Sequence, residues 1–387
     1  MSFVPYSRQT ISDDDITAVI NVLRSEFLTQ GPVIENFERA FAQKHQTQHA
    51  VAVSNATAGL HIACLALDIA PGKLVWTSPN SFLASANCAL YCGASVDFVD
   101  IDPVTKNISL VALEEKLRAA EAAGKLPDLL IPVDFAGLPA DLREMRGLAD
   151  QYGFKILEDA SHAIGASYLG SPVGSQWAHA SVFSLHAVKI VTSGEGGVVT
   201  TQDPKLAARL RRLRSHGITR NKSEFDGEAD GPWHYQQMDL GFNYRLTDFQ
   251  AALAASQLGR LSQLHEARIA CVERYSSLLE KLPLKIPVHF TDRVSAWHLY
   301  VIEIDGRDAE KRRSEIFNAM RDANIGVNVH YIPIHTQPFY QRLGFRRGQF
   351  PNAEMYYSRA ISLPLFPELT PEVQSSVVEK LKKALLA

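Results

Sequence analysis

FKILEDASHAIGA, residues 154–166, opens with an apolar run that ends on two carboxylates, Glu158 and Asp159. A short apolar run closed by acidic residues reads as a strand that carries charge at its C-terminal end. It is one of a series: AVAV at 50–53, KLVWT at 73–77, SVDFV at 95–99, DLLIPV at 128–133 and ASVFS at 180–184 are similar runs. Helix-periodic stretches such as LVALEEKLRAAEAA and LREMRGLADQYG separate several of them. Strand–helix–strand repetition predicts an α/β fold, a mostly parallel sheet with helices on both faces. Ligands of open parallel sheets bind beyond the C-terminal ends of the strands, where Asp159 stands. GGVVTT at 196–201 reads as one further strand and is a candidate for the antiparallel direction.

Working outward, Ser12 before Asp13–Asp15 predicts a helix start, because acidic residues suit the positive end of the helix dipole. One long helical pattern runs from about Thr247 to Leu282 and is long enough to bridge two domains. HLYVIEI at 298–304 and GVNVHYI at 326–332 read as strands, and PEVQSSVVEKLKKALL as a final helix, so a smaller α+β domain follows. The polar stretch 215–240 reads as a long loop, a kind of segment that is often functional.

Composition excludes several classes. The chain has 387 residues, 46% of them hydrophobic and 21% charged, with a net charge of -3, so no basic face for nucleic acid is indicated. The start, MSFVPYSRQTISDDD, has no apolar core of a signal peptide. The least charged stretch, 51–67, carries Ser54, Asn55, Thr57 and His61 and makes a poor membrane span. Cys64, Cys88, Cys92 and Cys271 lack C-x-x-C spacing, which points to reduced, buried thiols of a cytoplasmic protein and to no metal site.

Four further segments carry chemistry. In FSLHAVKIVTSGEGG, 183–197, Lys189 follows a strand end and precedes Gly194, Gly196 and Gly197. A Schiff-base lysine needs a tight pocket, which nearby glycines permit; a surface lysine beside a turn fits the same letters. Asp159 can hold a pyridine nitrogen protonated or simply cap the next helix. SNATAGLHIACLAL, 54–67, passes from a strand into a helix whose N-terminus suits a phosphate, with Asn55 or Thr57 as the cap. Phe82 in TSPNSFLASANC follows a strand and can stack on a planar ring, although a buried core Phe accounts for it as well. In GFNYRLTDFQAAL, 241–253, Asn243 and Arg245 precede the long helix. His162, His186, His330 and His335 read as hydrogen-bonded or substrate-facing rather than as metal ligands, since H-E-x-x-H is absent. Neither a G-x-x-x-x-G-K-[ST] loop nor a G-x-G-x-x-G fingerprint occurs, which disfavours nucleoside triphosphate and dinucleotide sites.

The order SNATAGL, TSPNSFLASANC, EDASHAIGA, SLHAVK, GEGG and NYRLTDFQAAL resembles the DegT-like nucleotide-sugar aminotransferases of pyridoxal-phosphate fold type I, over essentially the whole chain. PYSRQ, FLTQGP, VDFAG, RSHGITR and VHYIPIHTQPFY resemble the branch that serves pseudaminic acid biosynthesis. The resemblance implies an N-terminal segment lining the cleft (1–30), a large cofactor domain (31–250), and an interdomain helix with a small C-terminal domain (251–387). It implies pyridoxal 5′-phosphate bound to Lys189, Asp159 at the pyridinium nitrogen and Phe82 on the ring. Thr57, Ala58 and Ser184 would hold the phosphate, with Asn243 reaching it from the neighbouring subunit of a homodimer. His162 would also contact the cofactor. Tyr6, Thr29, His330 and Tyr331 would line the site of a UDP-4-keto-6-deoxy amino sugar, with L-glutamate and 2-oxoglutarate as the amino donor pair. Leu185 departs from the Phe common in these enzymes, and Asp134 from the His of many. Relatives that dehydrate instead carry His in place of Lys189. A 4-aminotransferase for another sugar nucleotide, such as the bacillosamine precursor, and a non-catalytic sugar-binding protein are the rival readings; Lys189 together with Asp159 argues against the latter.

Overall fold

A computed structural model describes residues 3–306 and 308–386. The strands of the N-terminal half are β1 His49–Val53, β2 Leu74–Thr77, β3 Ser95–Phe98, β4 Leu129–Ile131, β5 Lys155–Asp159, β6 Ser167–Tyr168, β7 Ser171–Pro172, β8 Ala180–Ser184 and β9 Gly197–Thr201. Seven of them form one sheet in the order β1-β9-β8-β5-β4-β2-β3. The β3–β2, β2–β4, β4–β5 and β5–β8 pairs are parallel, and β9 runs antiparallel to both β8 and β1. The short β6–β7 hairpin pairs outside this sheet.

The helices before, between and directly after these strands are α1 Asp13–Leu23, α2 Pro32–Lys44, α3 Ala56–Ala66, α4 Ala84–Tyr91, α5 Leu110–Ala122, α6 Leu142–Tyr152 and α7 Pro204–Arg214. They cover both faces of the sheet, and the alternation along β1 shows how. Val51 and Val53 join the cluster of α3, α4 and α7, whereas Ala50 and Ala52 face α2 and Phe183. The start of α1 is the expected one. Ser12 caps it, and Asp15 returns a bond to the Ser12 N–H in a capping box.

The long helix expected over 247–282 is two helices, α8 Asp248–Gly259 and α9 Leu261–Leu279, which meet at Arg260. Gly259 is a poor helix residue at that point. The Arg260 guanidinium and the Gln257 amide are both drawn to the buried Asp15 carboxylate and the Thr10 carbonyl of the N-terminal segment. Helix α9 then joins two cores: Leu261 and Leu264 pack with the large sheet, and Cys271, Val272, Tyr275 and Leu279 pack with the C-terminal half.

That half holds the hairpin β10 Ile218–Thr219 and β11 Gln236–Gln237, and then β12 Leu284–Lys285, β13 Arg293–Val294, β14 Tyr300–Ile304 and β15 Ala360–Leu363. Strands β12, β14 and β15 form an antiparallel sheet, while β13 pairs with β6. The final helix, Pro371–Leu386, covers this core. The expected strand over 326–332 does not form. Asn328 makes a single bridge to Ser362, and the side chains beyond it bond to Ser362 and His162 instead of entering a ladder. All four cysteines are buried free thiols. Among the described residues no helix is long and apolar enough to cross a membrane.

Neighbouring residues on a strand point to opposite faces, so Glu158 turns away from Asp159. The Glu158 carboxyl is fully buried against that of Asp134, also fully buried, and accepts a bond from the Ser181 hydroxyl. Asp134 in turn accepts from the Ala140 N–H at 2.8 Å. Burial raises Glu158 from 4.5 to about 7 and pushes Asp134 up as well, so the pair retains a proton near neutrality. A group with a raised folded pKa contributes stability that is complete below 4.5 and is lost as pH climbs through about 7. Thermal unfolding over a pH series will therefore show stability falling through this window. Glu158→Gln, which removes the titrating group, will flatten the profile by on the order of 3 kcal/mol; an unchanged slope in the variant would refute the shared proton.

Candidate active site

A cavity of about 740 Å³ opens at the C-terminal ends of β5 and β8. Its wall includes Tyr6, Thr57, Phe82, Asp159, His162, Ser184, Lys189, His330 and Tyr331, all singled out from the sequence. Ala58, Thr29 and Asn243 lie outside it. The Ala58 N–H donates to Asn55 Oδ1 at 2.8 Å, as the capping bond of α3. Thr29 is exposed and bridges Thr247, and Asn243 is exposed and bridges Ser215.

Asp159 ends β5 and is almost fully buried. Ser85 donates to its Oδ2 at 2.6 Å. The Ser161 hydroxyl and N–H donate to its Oδ1 at 2.6 and 3.2 Å. These bonds fix the carboxylate plane and leave lone pairs free toward the cavity. The capping role considered for Asp159 is thus not its only work, since Ser85 reaches it from α4.

Lys189 follows β8 in a non-repetitive turn, half-buried, with its N–H donating to the His186 carbonyl at 2.9 Å. Desolvation lowers its amine from 10.5 to about 7, against the opposing pull of Asp159. Three imidazoles stand near it. His162, His298 and His330 are all buried, and each is pushed below 6.5 by burial first and by the Lys189 charge second. His162 Nε2 lies 3.1 Å from the Tyr331 hydroxyl, and His330 Nδ1 lies 2.7 Å from Ser362 Oγ. His186 and Glu195 are exposed at the rim, whereas His335 is buried away from the cavity and bonds Glu354 at 2.9 Å.

At the other end of the cavity α3 begins. The N–H groups of Ala56 and Thr57 have no carbonyl to meet within the helix. Ser184 Oγ accepts a long 3.4 Å bond from the His186 N–H, which leaves its own hydrogen available. These donors suit a phosphate. Phe82 is 60% exposed, not a core residue, and its ring lies 6.3 Å from that of Tyr331 at the cavity wall. Free helix-start N–H groups, a hydroxyl, an aromatic face, a carboxylate and a lysine amine thus share one cavity of a size that fits a cofactor together with substrate. The donor set fits pyridoxal phosphate.

Ser85, Ser161, Asn328 and His298 were missed from the sequence. Ser85 and Ser161 lie inside the quoted segments and look like ordinary helix-start serines. His298, the first residue of HLYVIEI, offered one signal: a histidine at the head of an apolar run.

A sequence model of the DegT/DnrJ/EryC1/StrS aminotransferase family matches residues 9–382. The spore coat polysaccharide biosynthesis protein SpsC of Bacillus subtilis (strain 168) is 37% identical over 384 residues, covering 98% of this chain and 96% of that protein. PseC of Helicobacter pylori, an aminotransferase involved in the biosynthesis of pseudoaminic acid, superposes with a TM-score of 0.90 at 29% identity over 100% of both chains. Spr1654 of Streptococcus pneumoniae, in its PLP-form, gives a TM-score of 0.89 at 28% identity over 99% of both.

The glycines of GEGG have a geometric reason. A Cβ on Gly197 would come within 2.8 Å of the backbone at Asn55 and Ala56, so β9 can pass the start of α3 only with glycine there. Gly197→Ala will push the α3 N-terminus away. The expected cost is about 1–3 kcal/mol in urea unfolding, with weaker retention of pyridoxal phosphate on dialysis. Wild-type stability and retention in the variant would mean that the close approach is not needed.

Proposed function

The chain belongs to the DegT/DnrJ/EryC1/StrS aminotransferase family, and on that premise we propose that it moves the amino group of L-glutamate to C4 of UDP-2-acetamido-2,6-dideoxy-β-L-arabino-hex-4-ulose, a step of pseudaminic acid biosynthesis. In that reading it is UDP-4-amino-4,6-dideoxy-N-acetyl-β-L-altrosamine transaminase. The enzyme is a pyridoxal-phosphate-dependent sugar aminotransferase of fold type I. The observation that carries the reaction is the convergence of Lys189 and Asp159 on one cavity beyond the strand ends. The likeness to PseC supports the substrate. The higher identity to SpsC favours a second reading, a 4-aminotransferase for another UDP- or dTDP-4-keto-6-deoxy sugar.

Bound pyridoxal phosphate supplies a carbonyl carbon that takes up an amine and a ring that takes up the electron pair left on carbon. The rest falls to the chain. Lys189 would hold the cofactor covalently through its amine and, once freed by the amino donor, that amine would serve as the base that takes up and returns the proton of the amino acid's α carbon. An amine near pKa 7 can take up and release that proton at neutral pH. Asp159, held by Ser85 and Ser161, would keep the proton on the pyridine nitrogen, and Phe82 would cover the ring. The N–H groups of Ala56 and Thr57 at the α3 start and the Ser184 hydroxyl would hold the phosphate, whereas the Ala58 N–H is already taken by Asn55, and His162 would lie beside the cofactor. With 2-oxoglutarate released, the keto sugar would give up its carbonyl oxygen as water in exchange for the nitrogen, held in place by Tyr6, His330 and Tyr331.

Asn243 reaches a phosphate only in a second copy, since it is exposed and outside its own cavity. The neighbouring arm presents Trp233 and Leu240, 75% and 83% exposed, as surface for that copy. The reading is thus a cytoplasmic homodimer with shared sites.

The test supplies L-glutamate and UDP-N-acetylglucosamine converted beforehand by a 4,6-dehydratase that inverts C5, or in parallel by one that does not. Products are read by mass and NMR. Amination of the inverted sugar only is expected, with loss of at least about a thousandfold in Lys189→Ala. Amination of the other sugar only would transfer the enzyme to the second reading. Amination of neither, with pyridoxal phosphate still fixed on Lys189, would sink both substrates.

A further inference from the structure

Lys189 has a side-chain partner that the reaction described above does not use. Its Nζ lies 3.4 Å from Nε2 of His298, a residue only 3% exposed. Among the described residues no other side chain is within hydrogen-bond distance of that amine. We propose that His298 is a positioning residue for Lys189, a neutral imidazole whose Nε2 accepts a hydrogen bond from the amine and parks it, when it is free of the cofactor, with its remaining valences turned to the cavity.

The surroundings of His298 specify this state. The groups facing it are Lys189, His162, His330 and Arg268, and none is an acid. The Arg268 guanidinium is buried and donates to the carbonyls of Trp297, His298 and Leu365, so it stays a fixed positive charge behind the ring. A second proton on His298 would stand among these cations in a desolvated place, and burial first and Lys189 second drive it off. A neutral imidazole carries one N–H. With Nε2 accepting from Lys189, the hydrogen sits on Nδ1, which is buried and has no partner. An isolated buried donor is costly, and the cost is consistent with a ring held for the task of its other nitrogen. The ring is held firmly: it packs 4.3 Å from that of His162, and the His298 N–H donates to the Ala136 carbonyl at 2.9 Å.

This inference rests on the proposed role of Lys189, and the experiment separates the two. Cofactor-free protein is labelled with acetic anhydride across a pH series, and the Lys189 peptide is quantified by mass spectrometry. The wild-type midpoint should lie near 7. An acceptor favours the charged amine, so His298→Leu should lower the midpoint by about one unit. In the loaded enzyme kcat should fall about tenfold or more, with KM for L-glutamate within about twofold. His298→Gln, which keeps an acceptor, should stay close to wild type in both. A His298→Leu enzyme with wild-type midpoint and kcat overturns the proposal, as does a folded His298→Gln that fails as badly as Leu. Should the Leu variant not fold, the ¹⁵N spectrum of the wild-type protein decides: the Nδ1–H tautomer of His298 supports the proposal and the Nε2–H tautomer overturns it. Failure of borohydride to fix pyridoxal phosphate on wild-type Lys189 would instead remove the role proposed for the lysine, while the labelling of cofactor-free protein would still decide whether His298 holds the amine.

Discussion

Desolvation of one amine is the constraint on which the site depends. Lys189 is brought from 10.5 to about 7 by the removal of water, with Asp159 pulling the other way. A lysine so placed is poised between base and acid, and the buried Arg268 guanidinium pushes it further down. Three imidazoles surround the amine, and burial together with the amine's own charge keeps all three neutral. They supply shape and hydrogen-bonding atoms without adding charge. The buried carboxylate on the wall, Asp159, accepts from the hydroxyls of Ser85 and Ser161.

The sheet order explains how the parts meet. Strands β5 and β8 run side by side and in parallel with Asp159 opposite Val182, so β8 carries Ser184 two residues further in the same direction. The antiparallel β9 then slots between β8 and β1. That places Gly197 opposite both Ser184 and Val53, the last residue before the turn into α3. The donors proposed for a phosphate, at the β1–α3 turn and the end of β8, thus have β9 between them, and its close pass by the start of α3 leaves room only for glycine at 197.

Where residue pattern and local chemistry coincide, the sequence was legible. The seven-stranded sheet follows from runs that alternate with helices, and the order of motifs brought nine wall residues into view. Regularity failed in two places. The break at Arg260 is set by Asp15 and Thr10, residues about 250 positions away, and no local period records that. The stretch GVNVHYI has the alternation of a strand, yet its polar atoms find Ser362 and His162 instead of a ladder. Ser85 and His298 were hidden for a related reason. Each is an ordinary letter in its own segment and acquires meaning only from a residue on another element, Asp159 or Lys189.

Glu158 and Asp159 show how far two adjacent, similar letters can diverge. One points below the sheet, pairs with Asp134 and holds a proton as part of the core. The other points to the cavity, where serines align it. The pleat alone separates structure from chemistry here. The same division holds across the molecule. The groups fitted to a cofactor stand on strand ends and a helix start of the large sheet, where backbone geometry is regular. Tyr6, Asn328, His330 and Tyr331 come instead from the N-terminal segment and from a non-repetitive stretch of the C-terminal half. Those segments are tied together, through the Val4–Ile325 bridge and the Tyr6–His330 ring contact at 5.6 Å. Under the proposed function a change of sugar would fall on this joint unit, which can be reshaped without disturbing the strand ends.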